Sequence, residues 1–185
     1  MVSIDGRGTP GRGRDWERTI YLKIAEIPLA DQVTGLRALG SKYPELDMDR
    51  VGITGWSFGG YMSVLAVLRQ PGVYKAAVAG APVTDWLDYD THYTERFLGL
   101  PGSKVYTANS LLETAPGLQR PLLLIHGTAD DNVYFQQTLK LVDQLESGWA
   151  CVCVFAAPRL NAHGAGSCTA RTGRKRTAKF FQDHL

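Results

Sequence analysis

Four short runs of apolar residues punctuate the chain, at Arg50–Thr54, Ala76–Ala81, Pro121–Ile125 and Cys151–Phe155. None shows polar alternation, which is the pattern of strands buried on both faces. Met1–Ile4 reads as a further strand. Between the runs the spacing changes to that of helices. Val33, Leu36, Leu39 and Tyr43 recur at intervals of three and four and predict a helix over Ala30–Tyr43. Gly59–Arg69 predicts a helix of small and aliphatic residues that Pro71-Gly72 terminates. Phe135, Leu139 and Val142 predict a third over Val133–Ser147, ending at Gly148. Strands alternating with helices point to an α/β fold, a mostly parallel sheet flanked by helices. Asp85–Arg96 is polar and aromatic without a clean period, so it is expected to be an irregular or short helical excursion after a strand.

The composition changes this picture little. With 185 residues, 44% hydrophobic and 21% charged, the chain has room for one core and the balance of a globular domain. No apolar run approaches the roughly 18 residues of a membrane-spanning helix. The first residues show no basic stretch followed by an apolar core, so a secretory signal is not expected. Residues 5–14 hold four glycines and a proline and read as a loop. No Lys-Ser/Thr pair follows them, which argues against a phosphate cradle. Three cysteines make no disulfide scaffold, and no His/Cys/carboxylate cluster has zinc spacing, so no metal or cofactor is expected.

Charge is more informative. The net charge of +2 conceals six basic residues between positions 155 and 179, with no Asp or Glu among them. All three cysteines lie in the same end of the chain, at 151, 153 and 168. No aromatic residues interleave with these charges, so a nucleic-acid partner is not expected.

The chemistry begins at Gly55-Trp56-Ser57-Phe58-Gly59. This is a G-x-S-x-G sequence with a buried-type strand running into it and a helix starting straight after it. That context is a nucleophile elbow, in which a serine sits on a sharp strand-to-helix turn. Side chains at the flanking glycines are expected to collide with the neighbouring strand and helix. A serine hydroxyl needs a base to take its proton and an acid to orient that base, here expected in the chain order Ser, acid, His. Asp130 and Asp131 both follow the Pro121–Ile125 strand, and spacing does not separate them. His126 precedes the acid and reads as a packed loop histidine. His92 also fails on order, and His184 at the terminus is expected to be exposed. His163, in Asn161-Ala162-His163-Gly164, lies beyond the last strand in the right order.

Several longer stretches resemble the prolyl oligopeptidase family of serine peptidases, in its dipeptidyl-peptidase IV branch. They are Asp5-Gly6-Arg7-Gly8, Gly55–Tyr61, Ala81-Pro82-Val83-Thr84-Asp85-Trp86, Tyr93–Pro101 and His126–Val133. Tyr93-Thr94-Glu95-Arg96 is far more specific than G-x-S-x-G, which many esterases share. The resemblance runs from the first residue to about Gly148. It implies most of a catalytic α/β-hydrolase domain without its opening strands, and hence a peptidase that cleaves N-terminal dipeptides after Pro or Ala through an acyl-enzyme.

Carried onto this chain, the resemblance makes Ser57 the nucleophile, Asp130 the orienting acid and the backbone N–H of Phe58 an oxyanion donor. Val83, Trp86, Tyr89, Tyr93 and Val133 become the apolar pocket for a proline ring or an alanine methyl. Such walls suit a compact ring without an N–H, and Trp86, Tyr89 and Tyr93 are expected to line a cleft without being wholly buried. Asn132 is implied as the amide that holds a substrate carbonyl, with Arg96 in the same polar network. The partners implied are peptides with Pro or Ala at the second position, an upstream β-propeller and a second copy in a homodimer.

The family pattern also implies a tyrosine oxyanion donor from a segment before Met1, and a polar or acidic turn, His and helix after the last strand. Residues 149–176 do not resemble that pattern, whereas Ala178–Leu185 does again. A locally shifted reading frame across 149–176 is one expectation that accounts for this. Two other readings remain open at this point: a carboxylesterase on the same fold, and a non-catalytic module.

Overall fold

The computed structural model describes residues 1–102, 104–145, 152–157 and 167–185. In chain order the elements are α1 (Arg14–Arg18), α2 (Glu26–Lys42), β1 (Gly52–Trp56), α3 (Phe58–Arg69), β2 (Ala76–Gly80), α4 (Thr91–Leu98) and α5 (Lys104–Asn109). There follow β3 (Leu122–Gly127), α6 (Gln136–Leu145), β4 (Val152–Ala157) and α7 (Ser167–His184). The four strands are parallel and lie in sequence order β1-β2-β3-β4. All four carboxyl ends therefore open on the same side.

Alternation in β2 and β3 divides the core. Ala77, Ala79, Leu122 and Leu124 face a large cluster with the apolar side of α3. Ala76, Val78, Leu123 and Ile125 face the opposite layer, which Phe180 of α7 covers. The sheet is thus sandwiched between helices, because both faces of its central strands are apolar.

Each of the four apolar runs forms a strand: β1, β3 and β4 lie one or two residues further toward the carboxyl end than their runs, and β2 stops one residue short of its run. Asp85–Arg96 forms a 3-10 turn over Trp86–Asp88 and the start of α4, the expected excursion. Met1–Ile4 does not form a strand. Ile4 instead packs beside Gly35 of α2, and its carbonyl accepts from Gln32 Nε2 at 2.7 Å. Arg7 then ties the following loop to α2 through paired bonds to Asp31.

The phase of α6 also differs from the hydrophobic spacing. Its buried face carries Gln137, Thr138, Leu141 and Leu145, whereas Leu139 is exposed. Two polar residues occupy core positions because each is hydrogen-bonded there, as described next. Of the atypical segment 149–176, β4, the α7 backbone from Ser167 on and the α7 side chains from Thr172 on fall among the described residues.

Candidate active site

Ser57 joins β1 to α3 with φ 56° and ψ −116°. A non-glycine residue in that region costs on the order of 1–3 kcal/mol, which its surroundings must hold in place. Its N–H donates to the Gly80 carbonyl at 2.8 Å, and its carbonyl accepts from the Tyr61 N–H at 2.9 Å. A Cβ on Gly55 would overlap the Gly59 backbone, and one on Gly60 would overlap the Gly80 carbonyl. Gly59 itself faces open space, so the expected collision at both motif glycines is corrected: Gly60 supplies the second close approach. The N–H of Phe58 heads α3, where the first N–H groups have no acceptor within the helix. The helix N-terminus there favours negative charge next to Ser57.

Asp130 lies just past β3, at the same end of the sheet as Ser57. The two follow strands that are not neighbours, because β2 runs between β1 and β3. Two strand spacings amount to about 10 Å, a gap suited to a bridging imidazole. Asp130 Oδ1 accepts from the Asn132 and Val133 N–H groups, both at 3.0 Å. Its Oδ2 is buried and has no hydrogen-bond partner among the described residues. A buried carboxylate oxygen without a partner is costly, so its lone pairs mark an acceptor position. Asp131 is exposed, which separates two aspartates that spacing left equal.

The aromatic residues form a continuous wall beginning at the elbow. Phe58 lies 6.3 Å from Trp86, centroid to centroid, and Trp86 stacks on Tyr93 at 6.0 Å and 10°. Tyr89 meets both edge-on. Trp86 is only 1% exposed, a correction to its expected place on a cleft surface; its Nε1 donates to the Asn109 carbonyl at 3.1 Å, which satisfies the indole inside the core. Val83 and Val133 are equally buried, and Tyr89 and Tyr93 are half-buried. Tyr89 Oη donates to Asn132 Oδ1 at 3.3 Å, which orients the amide with its NH2 group uncommitted by that bond. Arg96 is exposed with its guanidinium over Phe97, and no hydrogen bond joins it to Asn132 among the described residues. A cleft of about 510 Å³ adjoins this wall, lined by Tyr89, Asp131 and Asn132 among others but not by Ser57.

His163 falls outside the described residues. His126 is fully buried in β3, hydrogen-bonded through both ring nitrogens, and packed edge-on against Phe135. Burial pushes its pKa below the ordinary histidine value, against the opposing pull of the Val133 carbonyl and Asp130. His92 is exposed. His184 is half-buried and stacked on Phe180 at 4.3 Å, not exposed as expected.

Three supporting residues were not legible from the sequence. Gln137 Oε1 accepts from the Thr84 N–H at 2.7 Å and its Nε2 donates to the Asp88 carbonyl at 3.3 Å, bracing the loop that carries Trp86 and Tyr89. Thr138 bonds His126. Asn109 is buried beneath the wall, where its carbonyl accepts from both Tyr61 Oη and Trp86 Nε1. A signal existed for the α6 pair, since Gln137 and Thr138 share a face with Leu141 and Leu145.

A parallel sheet wrapped by helices, with a strained serine at a strand-to-helix junction and a buried acid beyond a later strand, defines an α/β-hydrolase. The model of the prolyl oligopeptidase family matches residues 1–185, and the chain belongs to that family. It is 43% identical over 150 residues to dipeptidyl peptidase 8 of Homo sapiens, across 78% of this chain and 17% of that protein. It is 39% identical over 144 residues to venom dipeptidyl peptidase 4 of Apis mellifera, across 75% of this chain and 19% of that protein. The structure of Porphyromonas gingivalis dipeptidyl peptidase 4 matches with a TM-score of 0.91 and 37% identity, over 98% of this chain and 26% of that one. The chain therefore spans under a fifth of the length of these curated relatives and resembles them as a dipeptidyl-peptidase-like serine hydrolase.

Proposed function

We propose that this chain carries the catalytic site of a serine peptidase that removes N-terminal dipeptides with Pro or Ala at the second position. The observation that carries the reading is the pairing of a strained Ser57 with a buried Asp130 whose Oδ2 lacks a partner among the described residues, both at one end of the sheet. Ser57 Oγ attacks the scissile carbonyl while His163 takes its proton, and Asp130 Oδ2 holds that histidine in the required tautomer. His163 then protonates the leaving amine, and water attacks the acyl-enzyme by the reverse route. The Phe58 N–H stabilises the oxyanion.

Tyr89 and Tyr93 line the slot for the second residue of the substrate, with Val83, Trp86 and Val133 buried behind them. The Asn132 amide, oriented by Tyr89, donates to the preceding substrate carbonyl, and Arg96 serves the same polar network at its rim. No metal or organic cofactor takes part in this scheme. The whole protein is proposed to anchor the substrate's free amine through an upstream β-propeller and to act as a homodimer.

Turnover of an X-Pro p-nitroanilide and of a p-nitrophenyl acyl ester by the complete gene product tests the reading. The anilide is expected to be cleaved, with activity lost in Ser57→Ala. Turnover of the ester alone would indicate a carboxylesterase, and no turnover of either a non-catalytic module.

A further inference from the structure

The ring of His126 is set between three groups. Nε2 lies 2.8 Å from the Val133 carbonyl oxygen, and Nδ1 lies 2.6 Å from Thr138 Oγ1 of α6. Asp130 Oδ2 stands 3.8 Å from Nε2. A carbonyl only accepts, so Nε2 must carry the hydrogen, and Nδ1 then accepts from the Thr138 hydroxyl. Both ring nitrogens are satisfied in this one neutral tautomer. Val133 is consequently held at both ends, its carbonyl by His126 and its N–H by Asp130 Oδ1 at 3.0 Å.

That clamp has a consequence for the acid. The two backbone bonds fix Oδ1 and thereby the rotation of the carboxylate, leaving Oδ2 unpartnered among the described residues. His126 commits its only hydrogen to Val133, so it does not compete for Oδ2 despite its proximity. A cation at this position would pair with Asp130 and withdraw the acceptor. We propose that His126 is a positioning residue, which by holding the Val133 carbonyl keeps Asp130 Oδ1 in its backbone bonds and Oδ2 open to the catalytic histidine. The inference rests on Asp130 being the orienting acid.

The test is the rate of Ser57 labelling by a fluorophosphonate as a function of pH, which reads activation of the serine without a peptide pocket. Asp130→Asn is expected to slow labelling by about a thousandfold or more. His126→Leu is expected to slow it at least about tenfold and to move the acidic limb to lower pH, because the imidazolium of the base loses part of its carboxylate partner. His126→Gln, whose Nε2 can still donate to the Val133 carbonyl, is expected to restore the rate to within about threefold of the parent. Thr138→Val, which removes the hydroxyl that holds the ring, is expected to give a shift in the same direction, about threefold in rate.

Labelling of Asp130→Asn at the parent rate would overturn the assignment of the acid and this inference with it. Slow labelling of Asp130→Asn beside parent-like rates and limbs in His126→Leu and Thr138→Val would overturn the inference alone. So would failure of Gln to restore what Leu removes. Should His126→Leu not fold, an unshifted limb in Thr138→Val is the contradicting result.

Discussion

Gly60 packs against the carbonyl oxygen of Gly80 so closely that no side chain fits between them. The same carbonyl accepts the Ser57 N–H, so one atom of β2 fixes both the strained serine and the start of α3. Gly59, by contrast, faces open space within the helix. Gly60→Ala should therefore destabilise the protein by about 3 kcal/mol or more, as overpacking against backbone does. Gly59→Ala should change stability by less than about 1 kcal/mol, since alanine favours a helix interior. Urea unfolding of the two variants distinguishes these outcomes; equal losses would contradict the packing account.

Asn109 supports the aromatic wall from below. Its side chain accepts from the Ala25 N–H at 3.0 Å in a buried bond and donates to the Val105 carbonyl at 2.8 Å in a partly buried one. Truncation leaves these groups unsatisfied. Asn109→Ala should cost about 2–3 kcal/mol in denaturant unfolding. A loss below about 0.5 kcal/mol would show that the network is replaceable.

The pH dependence of stability follows from His126. Its folded pKa lies below the ordinary histidine value of 6.5 because burial disfavours the charged ring. The unfolded chain therefore binds a proton near that pH before the native protein does. Stability should fall as pH drops below 6.5 and continue to fall until the native ring also protonates. His126→Gln removes this contribution, so its melting temperature should depend less on pH between 6.5 and 5 than that of the parent, as read by calorimetry. Parallel curves for the two proteins would contradict the sign argued here.

Tyr89 and Asn132 give a prediction about binding. The tyrosine hydroxyl orients the Asn132 amide, and Tyr89→Phe retains the ring contacts with Trp86 and Tyr93. KM for an X-Pro anilide should rise about threefold to tenfold in this variant, the worth of one hydrogen bond, with a smaller change in kcat. A fall in kcat at constant KM would place the hydroxyl in the reaction instead.

The strands and the elbow were legible because each has a local signature. Unbroken apolar runs identify the strands, although only β2 and β3 are covered on both faces; β1 and β4, each with one strand neighbour among the described residues, stay partly exposed. Ser57 is bracketed by one such run and a small-residue helix. Met1–Ile4 has a similar apolar look but forms no strand; Met1 and Val2 are exposed and Ile4 packs beside Gly35 of α2, a tertiary contact without local trace. The phase of α6 was misread for a related reason. Gln137 and Thr138 belong to its buried face only because the Thr84 N–H and His126 receive them, and hydrophobic spacing assigns polar residues to solvent. Asp130 and Asp131 are neighbours of one type; burial and the two Oδ1 bonds tell them apart. Trp86 illustrates the reverse case, an aromatic read as a cleft wall that the Asn109 carbonyl allows to sink into the core.

Activation of Ser57 is the claim on which the rest depends, and covalent labelling reads it directly. A fluorophosphonate reacting at Ser57 forms an oxygen–phosphorus bond, releases fluoride and passes the hydroxyl proton to the base. Peptide mass spectrometry of the labelled protein is expected to find one adduct, on Ser57, that is absent in Ser57→Ala and strongly reduced in Asp130→Asn and His163→Ala. An adduct at another serine, or labelling of Ser57 undiminished by loss of both Asp130 and His163, would contradict the account.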